Sequence, residues 1–314
     1  MANSAVSPRQ HIMRFMGSVQ VARAISAVAE LGVADALADG PLTPDDLAAR
    51  TGADAGALHR LLRLLASNGI FAEDEMGRFA LTPAADPLRT DIPGSLRDSV
   101  RCAWQDLTWA AFGQILHTAR TGQSGFEAAF GREFFAHLAA HPELNARFDA
   151  AMAVASAPED SAVAASYPFG ELSHVVDVGG GRGGFLTTLL AAHPHLRATL
   201  FDQPQVVADA QPLRRAGVKS RCAVEAGDFF TAVPAGADAY ILKRILHDWS
   251  DDEAVAILTN CARAAGPHGR ILAVDAVIKP GNAPDPNKFM DVGMMVLTHG
   301  RERTAAAFED ITRR

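Results

Sequence analysis

The sequence predicts an α/β protein: a doubly wound parallel sheet in its C-terminal part, preceded by a helical front that closes in a winged helix. Two observations carry this. After His174, short aliphatic runs alternate with stretches of helical periodicity, the pattern of successive β-α-β units. Before it, apolar residues recur at helical spacing, interrupted by a single hairpin pattern. A glycine run, Gly179-Gly180-Gly181-Arg182-Gly183-Gly184, adds a third: it lies between a strand and a helix, where sheets of this kind bind ligands.

Composition narrows the function. The 314 residues are 48% hydrophobic and 21% charged, a globular profile with room for about two domains. There is no apolar run near the roughly 20 residues that span a bilayer. Residues 1–14 lack the apolar core of a secretory signal, so a cytoplasmic protein is expected. A net charge of −7, from 29 basic and 36 acidic residues, argues against a nucleic-acid backbone as partner. The three cysteines, Cys102, Cys222 and Cys261, have no C-x-x-C spacing and support neither a disulfide framework nor a cysteine zinc site.

The front reads in order. Ile12, Phe15, Met16, Val19, Ala22, Ile25, Val28 and Leu31 form one stripe, which predicts a helix over 10–37. Thr43 caps a short helix with Pro44 in its first turn, ending near Gly52. Asp54 opens the next, which presents Leu58, Leu61, Leu62 and Leu65 and stops at Asn68-Gly69. Residues 70–72 and 78–81, around Gly77, form the hairpin. Helix, turn, helix and hairpin make a winged helix, a fold that often reads DNA. Between Asp39 and Arg89, however, five Arg face eight acidic residues. His59, Arg60 and Arg63 on the second helix are no basic footprint, so the segment reads as a packing or dimerisation module.

Helical patterns over 94–119 and 132–157 carry Trp104, Trp109, Phe112, Phe130, Phe134 and Phe135. Such a layer is either core or the lining of an aromatic pocket; periodicity alone does not separate the two. Strands follow at 175–178, 198–201, 239–242 and 270–274, with helices at 185–192 and 251–265.

Gly179, Gly181 and Gly184 fit G-x-G-x-x-G, a spacing that lets backbone lie against a nucleotide. Asp202 ends the next strand, placed to accept ribose hydroxyls. A dinucleotide and S-adenosylmethionine both meet this description. Three features favour the second. Asp177 stands just before the first glycine, where it can meet an ammonium group. Gly227-Asp228-Phe229 offers a carboxylate for an adenine amino group beside an aromatic cover. The sheet also starts late in the chain.

Here a resemblance enters. The motifs Val175-Val176-Asp177-Val178-Gly179-Gly180-Gly181, Phe201-Asp202-Gln203-Pro204, Gly227-Asp228-Phe229-Phe230 and Leu246-His247-Asp248-Trp249-Ser250-Asp251 resemble those of the S-adenosylmethionine-dependent O-methyltransferases. The likeness is to the caffeate/acetylserotonin type and its bacterial secondary-metabolism members, and it runs over essentially the whole chain. It implies a winged-helix dimerisation domain over 1–101 that lends residues to the partner's pocket. Behind it would come a helical substrate-binding segment over 102–170 and a Rossmann-like core over 171–314. The implied reaction is methylation of a phenolic or related hydroxyl on a small aromatic or polyketide-type metabolite.

The resemblance also implies a cofactor set of Asp177, Gly179, Gly181, Asp202, Gln203, Gly227, Asp228, Phe229 and Lys243, one of only four lysines. It implies Asp248, Met294 and Met295 at the acceptor and His247 as base. A phenol, with pKa near 10, is mostly protonated at neutral pH. An imidazole that takes this proton contributes about 10²–10⁴-fold. Glu302, in Gly300-Arg301-Glu302-Arg303-Thr304, matches one of the family's carboxylates. Asp275 stands where the family usually carries Glu, and whether its shorter side chain reaches the imidazole stays open. The acids after His247 read as a capping box, Ser250-x-x-Glu253, rather than a metal site. Some family relatives are hydroxylases or decarboxylases that tend to lack the base, so His247 counts against that reading. A nicotinamide-linked oxidoreductase is the remaining alternative. Residues 308–314 begin a helix that in the family leads to two antiparallel strands, so a further stretch after Arg314 is expected.

Overall fold

The computed structural model describes residues 7–103, 105–208, 210, 213–214 and 216–314; Trp104 lies outside them. The chain divides into two units, Met1–Asp106 and Leu107–Arg314.

In the first unit, Ser7 and Gln10 form a capping box that opens a helix over Pro8–Glu30. The helix expected to run to residue 37 stops earlier. Leu31 ends it, and Gly32, at φ +70°, turns the chain into the short helix Val33–Ala36. Ala24, Val28 and Ala29 of the long helix pack with Leu58, Leu62 and Leu65 of the helix Ala55–Ser67. Phe71 of β1 (Phe71–Glu73) and Phe79 of β2 (Phe79–Leu81) close the same core. The two strands pair antiparallel, completing the winged helix. Thr43 and Asp54 cap their helices as their positions predict, through bonds to Asp46 N and Ala57 N. The stripe of the first helix is only half used. Ile12, Phe15, Met16 and Val19 are 48–62% exposed in the single chain.

The helical stretches beyond are more broken than periodicity suggests. Residues 94–119 hold Arg97–Ala103, Asp106–Phe112 and Ile115–Thr121, with Gly113 and Gln114 separating the last two. Residues 132–157 split into Phe134–Ala139 and a longer helix, Pro142–Ser166, because Pro142 cannot donate to a preceding turn and starts a new one.

The second unit is built on five parallel strands: β3 (His174–Val178), β4 (Arg197–Asp202), β5 (Cys222–Ala226), β6 (Ala239–Lys243) and β7 (Arg270–Val274), ordered β5-β4-β3-β6-β7. Alternation in the strands divides the core. Val175, Leu200 and Ile241 pack on one face with Leu186 and Leu189 of the helix Gly184–Ala192. Val176, Val178 and Tyr240 pack on the other with Ile257 and Cys261 of the helix Asp251–Ala265. Chain order reverses at β3, so the loops after β3 and β6 leave the carboxyl edge side by side, which is where such sheets place ligands. Among the described residues no helix is long and apolar enough to cross a membrane.

Candidate active site

After β3 the chain turns through Gly179 at φ +71° and Gly181 at φ +60°, conformations that side chains resist. A Cβ on Gly180 would lie 2.5 Å from Asp177 Oδ2, so the loop sits directly on that carboxylate. Asp177 is buried, and among the described residues its Oδ2 has no hydrogen-bond partner. Burial pushes its pKa up to about 7, against the pull of Lys243. An orphaned carboxylate beside bare backbone suits a ligand that brings a cationic donor, such as the ammonium of S-adenosylmethionine. The residues present therefore fit that cofactor.

Asp202 closes the loop from the next strand. Its Oδ2 accepts from Gly181 N at 2.8 Å and its Oδ1 from Gln203 N at 2.6 Å, while burial raises its pKa. Gln203 is exposed and precedes the short helix Pro204–Val207. Gly227 N donates to Asp202 O at 3.0 Å, and a Cβ there would strike the Phe201 ring. Asp228 is exposed and accepts from Phe230 N at 2.9 Å. Phe229 stands edge-on to Trp249, ring centroids 5.8 Å apart. Asn260 Nδ2 anchors this corner, donating to the Phe229 and Phe230 carbonyls at 2.9 Å each. Lys243, at the end of β6, pairs with Asp160 of the helix Pro142–Ser166: Nζ to Oδ1 is 2.9 Å and both side chains are 7% exposed.

His247 follows on a single helical turn, Leu246–Asp248, and is buried. Its Nδ1 is 2.8 Å from Glu302 Oε1. A carboxylate oxygen accepts here, so Nδ1 carries a proton, and Nε2 holds the lone pair once the imidazole is neutral. Nε2 lies 3.8 Å from Asp248 Oδ1. Burial works against a charged imidazole, but the carboxylates of Asp248, Glu302 and Asp275 outweigh it and push His247 up to about 9. Burial pushes Asp248 and Asp275 up to about 6 each.

The two carboxylates expected at His247 differ. Glu302 bonds the imidazole, and its own N donates to Asp291 Oδ1 at 2.9 Å. Among the described residues neither oxygen of Asp275 has a hydrogen-bond partner, so Asp275 acts on His247 through charge alone. Met294 and Met295 are half-buried on the helix Asn287–Leu297, and Met295 packs on the core of Phe126, Phe134 and Val296. In the aromatic layer Phe126 and Phe134 are core, and Phe134 and Phe135 also border a small cleft with Asp248, Trp249, Thr298 and His299, Phe135 stacking on Trp249 at 5.8 Å.

Three features escaped the sequence. Asp160 holds Lys243, as described. Glu159 pairs with Arg244, whose φ is +55°. Arg303 is 1% exposed and donates to the carbonyls of Leu246 and Trp249. Spacing carries no signal for the first two, whose partners are remote in the chain. Arg303 does stand beside Glu302, but a charged residue in a motif gives no sign that it is buried.

A family model described as the O-methyltransferase domain matches residues 109–314, and one for the O-methyltransferase dimerisation domain matches residues 13–91. Phenazine O-methyltransferase PhzM of Lysobacter antibioticus is 40% identical over 301 residues, covering 96% of this chain and 88% of that protein. The crystal structure of NcsB1, an O-methyltransferase from neocarzinostatin biosynthesis in complex with S-adenosylmethionine and 2-hydroxy-5-methyl naphthoic acid, is similar with a TM-score of 0.85. It is 36% identical and the match covers 94% of this chain and 89% of that one. Aclacinomycin 10-hydroxylase RdmB of Streptomyces purpurascens is 33% identical over 317 residues, covering 96% and 82%.

Proposed function

This chain belongs to the S-adenosylmethionine-dependent O-methyltransferases, and on that premise we propose that His247 is the general base for methylating a phenolic or related hydroxyl on a small aromatic or polyketide-type metabolite. The observation that carries the reading is the buried His247–Glu302 pair, which leaves Nε2 as the proton acceptor. S-adenosylmethionine, when bound, supplies the methyl group as an electrophile that needs little further activation.

The chain's residues do the rest. Asp177, Gly179, Gly181, Asp202, Gln203, Gly227, Asp228, Phe229 and Lys243 would hold the cofactor. Asp177 suits the ammonium, Asp202 the ribose, and Asp228 with Phe229 the adenine. His247 Nε2 takes the hydroxyl proton as the oxygen attacks, and Glu302 stabilises the imidazolium that results. Asp275 and Asp248 add negative charge around that cation, and the acceptor ring lies against Asp248, Met294 and Met295 in this reading. The front domain makes the chain a homodimer, consistent with the exposed stripe of its first helix. A cytoplasmic location belongs to the same proposal, in keeping with the reduced, buried thiols of Cys222 and Cys261.

The test is turnover of S-adenosylmethionine with a panel of hydroxylated aromatics, read by product mass. A gain of one methyl group is expected, and His247→Ala should lose about 10²–10⁴-fold in kcat while binding S-adenosylhomocysteine normally. Full activity in that variant sinks the general-base role. The likeness to a named hydroxylase favours one second reading, and a product that gains oxygen instead of methyl would establish it.

A further inference from the structure

The reaction as described uses Glu302 of the segment 300–303 and leaves its neighbours without a part. The segment is nevertheless fastened to the His247 turn at every residue. A Cβ on Gly300 would overlap the His247 carbonyl, so backbone meets backbone there. Arg301 N donates to His247 O at 2.8 Å. Arg303 reaches furthest: Nη1 donates to Leu246 O at 2.6 Å, Nη2 to Trp249 O at 2.9 Å, and Nε to Asp251 Oδ1 at 3.0 Å. Its side chain is wholly buried.

Removing a guanidinium from water costs several kcal/mol, which its ion pair recovers only in part. An apolar side chain would avoid that cost but would leave the carbonyls of Leu246 and Trp249 without these donors. What an apolar group cannot do is donate in three fixed directions, and a lysine ammonium lacks the rigid fork. Leu246 O and Trp249 O flank His247, and Asp251 opens the next helix. One side chain thus fixes the base's turn on both sides, from the residue adjacent to the carboxylate that orients the ring.

We infer that Arg303 is a positioning residue for methyl transfer: its buried guanidinium holds the backbone of the turn that carries His247, in register with Glu302. The inference rests on His247 being the base. Positioning within about an ångström governs such steps, so loss of the fork is felt in the chemical step.

The experiment compares the full-length dimer as wild type, Arg303→Lys, Arg303→Met, Asp251→Asn and His247→Ala. S-adenosylhomocysteine binding serves as the check on folding. For Arg303→Met we expect kcat to fall tenfold or more with KM for S-adenosylmethionine within twofold, and for Arg303→Lys partial recovery. Arg303→Lys keeps the charge but loosens the imidazole from Glu302, so the acid limb of its kcat profile should move to lower pH. If Arg303→Met fails to fold, Arg303→Lys and Asp251→Asn carry the test, and Asp251→Asn should lower kcat several-fold. Variants that lose thermal stability yet keep wild-type kcat and pH profile per folded enzyme overturn the inference. Failure of the base itself is separate: it appears as an active His247→Ala.

Discussion

Glu302 Oε1 stands 2.8 Å from Nδ1 of His247, and the side chain that makes this bond is wholly buried. The bond sets the tautomer of the imidazole and adds to the basicity that the charge of Asp248 also raises. Glu302→Gln keeps the shape but can present an amide donor to Nδ1, which moves the lone pair away from the acceptor. We expect kcat to fall on the order of tenfold or more, with cofactor affinity unchanged.

With His247 as the proposed base, the pH profile follows from the carboxylates around it. With its pKa held up at about 9, His247 is largely protonated below that value and would serve as the proposed base only above it. The kcat/KM of the free enzyme should therefore rise with pH toward about 9. Asp275 touches this equilibrium only by its charge. Asp275→Asn should shift the rising limb to lower pH while costing less in limiting kcat than Glu302→Gln. A limb that stays in place in Asp275→Asn would show that the charge is not felt.

As the proposed partner of the cofactor's ammonium, Asp177 would set binding against stability. Its folded pKa, raised to about 7, means that the folded protein binds a proton more tightly than the unfolded chain. Stability of the ligand-free protein is thus lost as pH rises from the normal carboxylate range through about 7. Asp177→Asn should raise Tm at pH 8 by a few degrees and weaken S-adenosylhomocysteine binding, measured by calorimetry on the same sample.

The Lys243–Asp160 pair is buried on both sides, so removing the Asp160 charge takes away the carboxylate that pairs Lys243 directly and leaves it the influence of Asp177. Asp160→Asn should cost about 3–5 kcal/mol of stability, read by denaturant unfolding. Surface pairs such as Arg313–Glu309 should each cost about 1 kcal/mol or less when broken.

Phe15 and Met16 are each at least 60% exposed on the first helix. Placing a charge there, as in Phe15→Asp or Met16→Asp, should release monomers in light scattering without unfolding the winged-helix core, whose packed residues start at Val21.

Much of this was legible locally. The order of the sheet's elements, the glycine turn after β3, the caps at Thr43, Asp54 and Ser250, and the place of His247 after β6 all rest on neighbours within a few residues. The break at Gly32 and the split at Pro142 show where periodicity overran. A continuous stripe of apolar residues does not reveal that one position has adopted a left-handed turn or that one amide is missing.

The sequence by itself thus determined the α/β class, the winged-helix front and the residue types at the site, because side-chain period and turn chemistry are properties of adjacent residues. Only the tertiary structure decided which carboxylate bonds the imidazole. His247, Asp275, Glu302 and Arg303 come from separate segments, and their burial and partners arise when β6, β7 and the segment 300–303 pack together. Glu302 reaches Nδ1, Asp275 contributes only charge, and Arg303 holds the turn. Burial and long-range pairing set those roles, and neither is written in the spacing of residues along the chain.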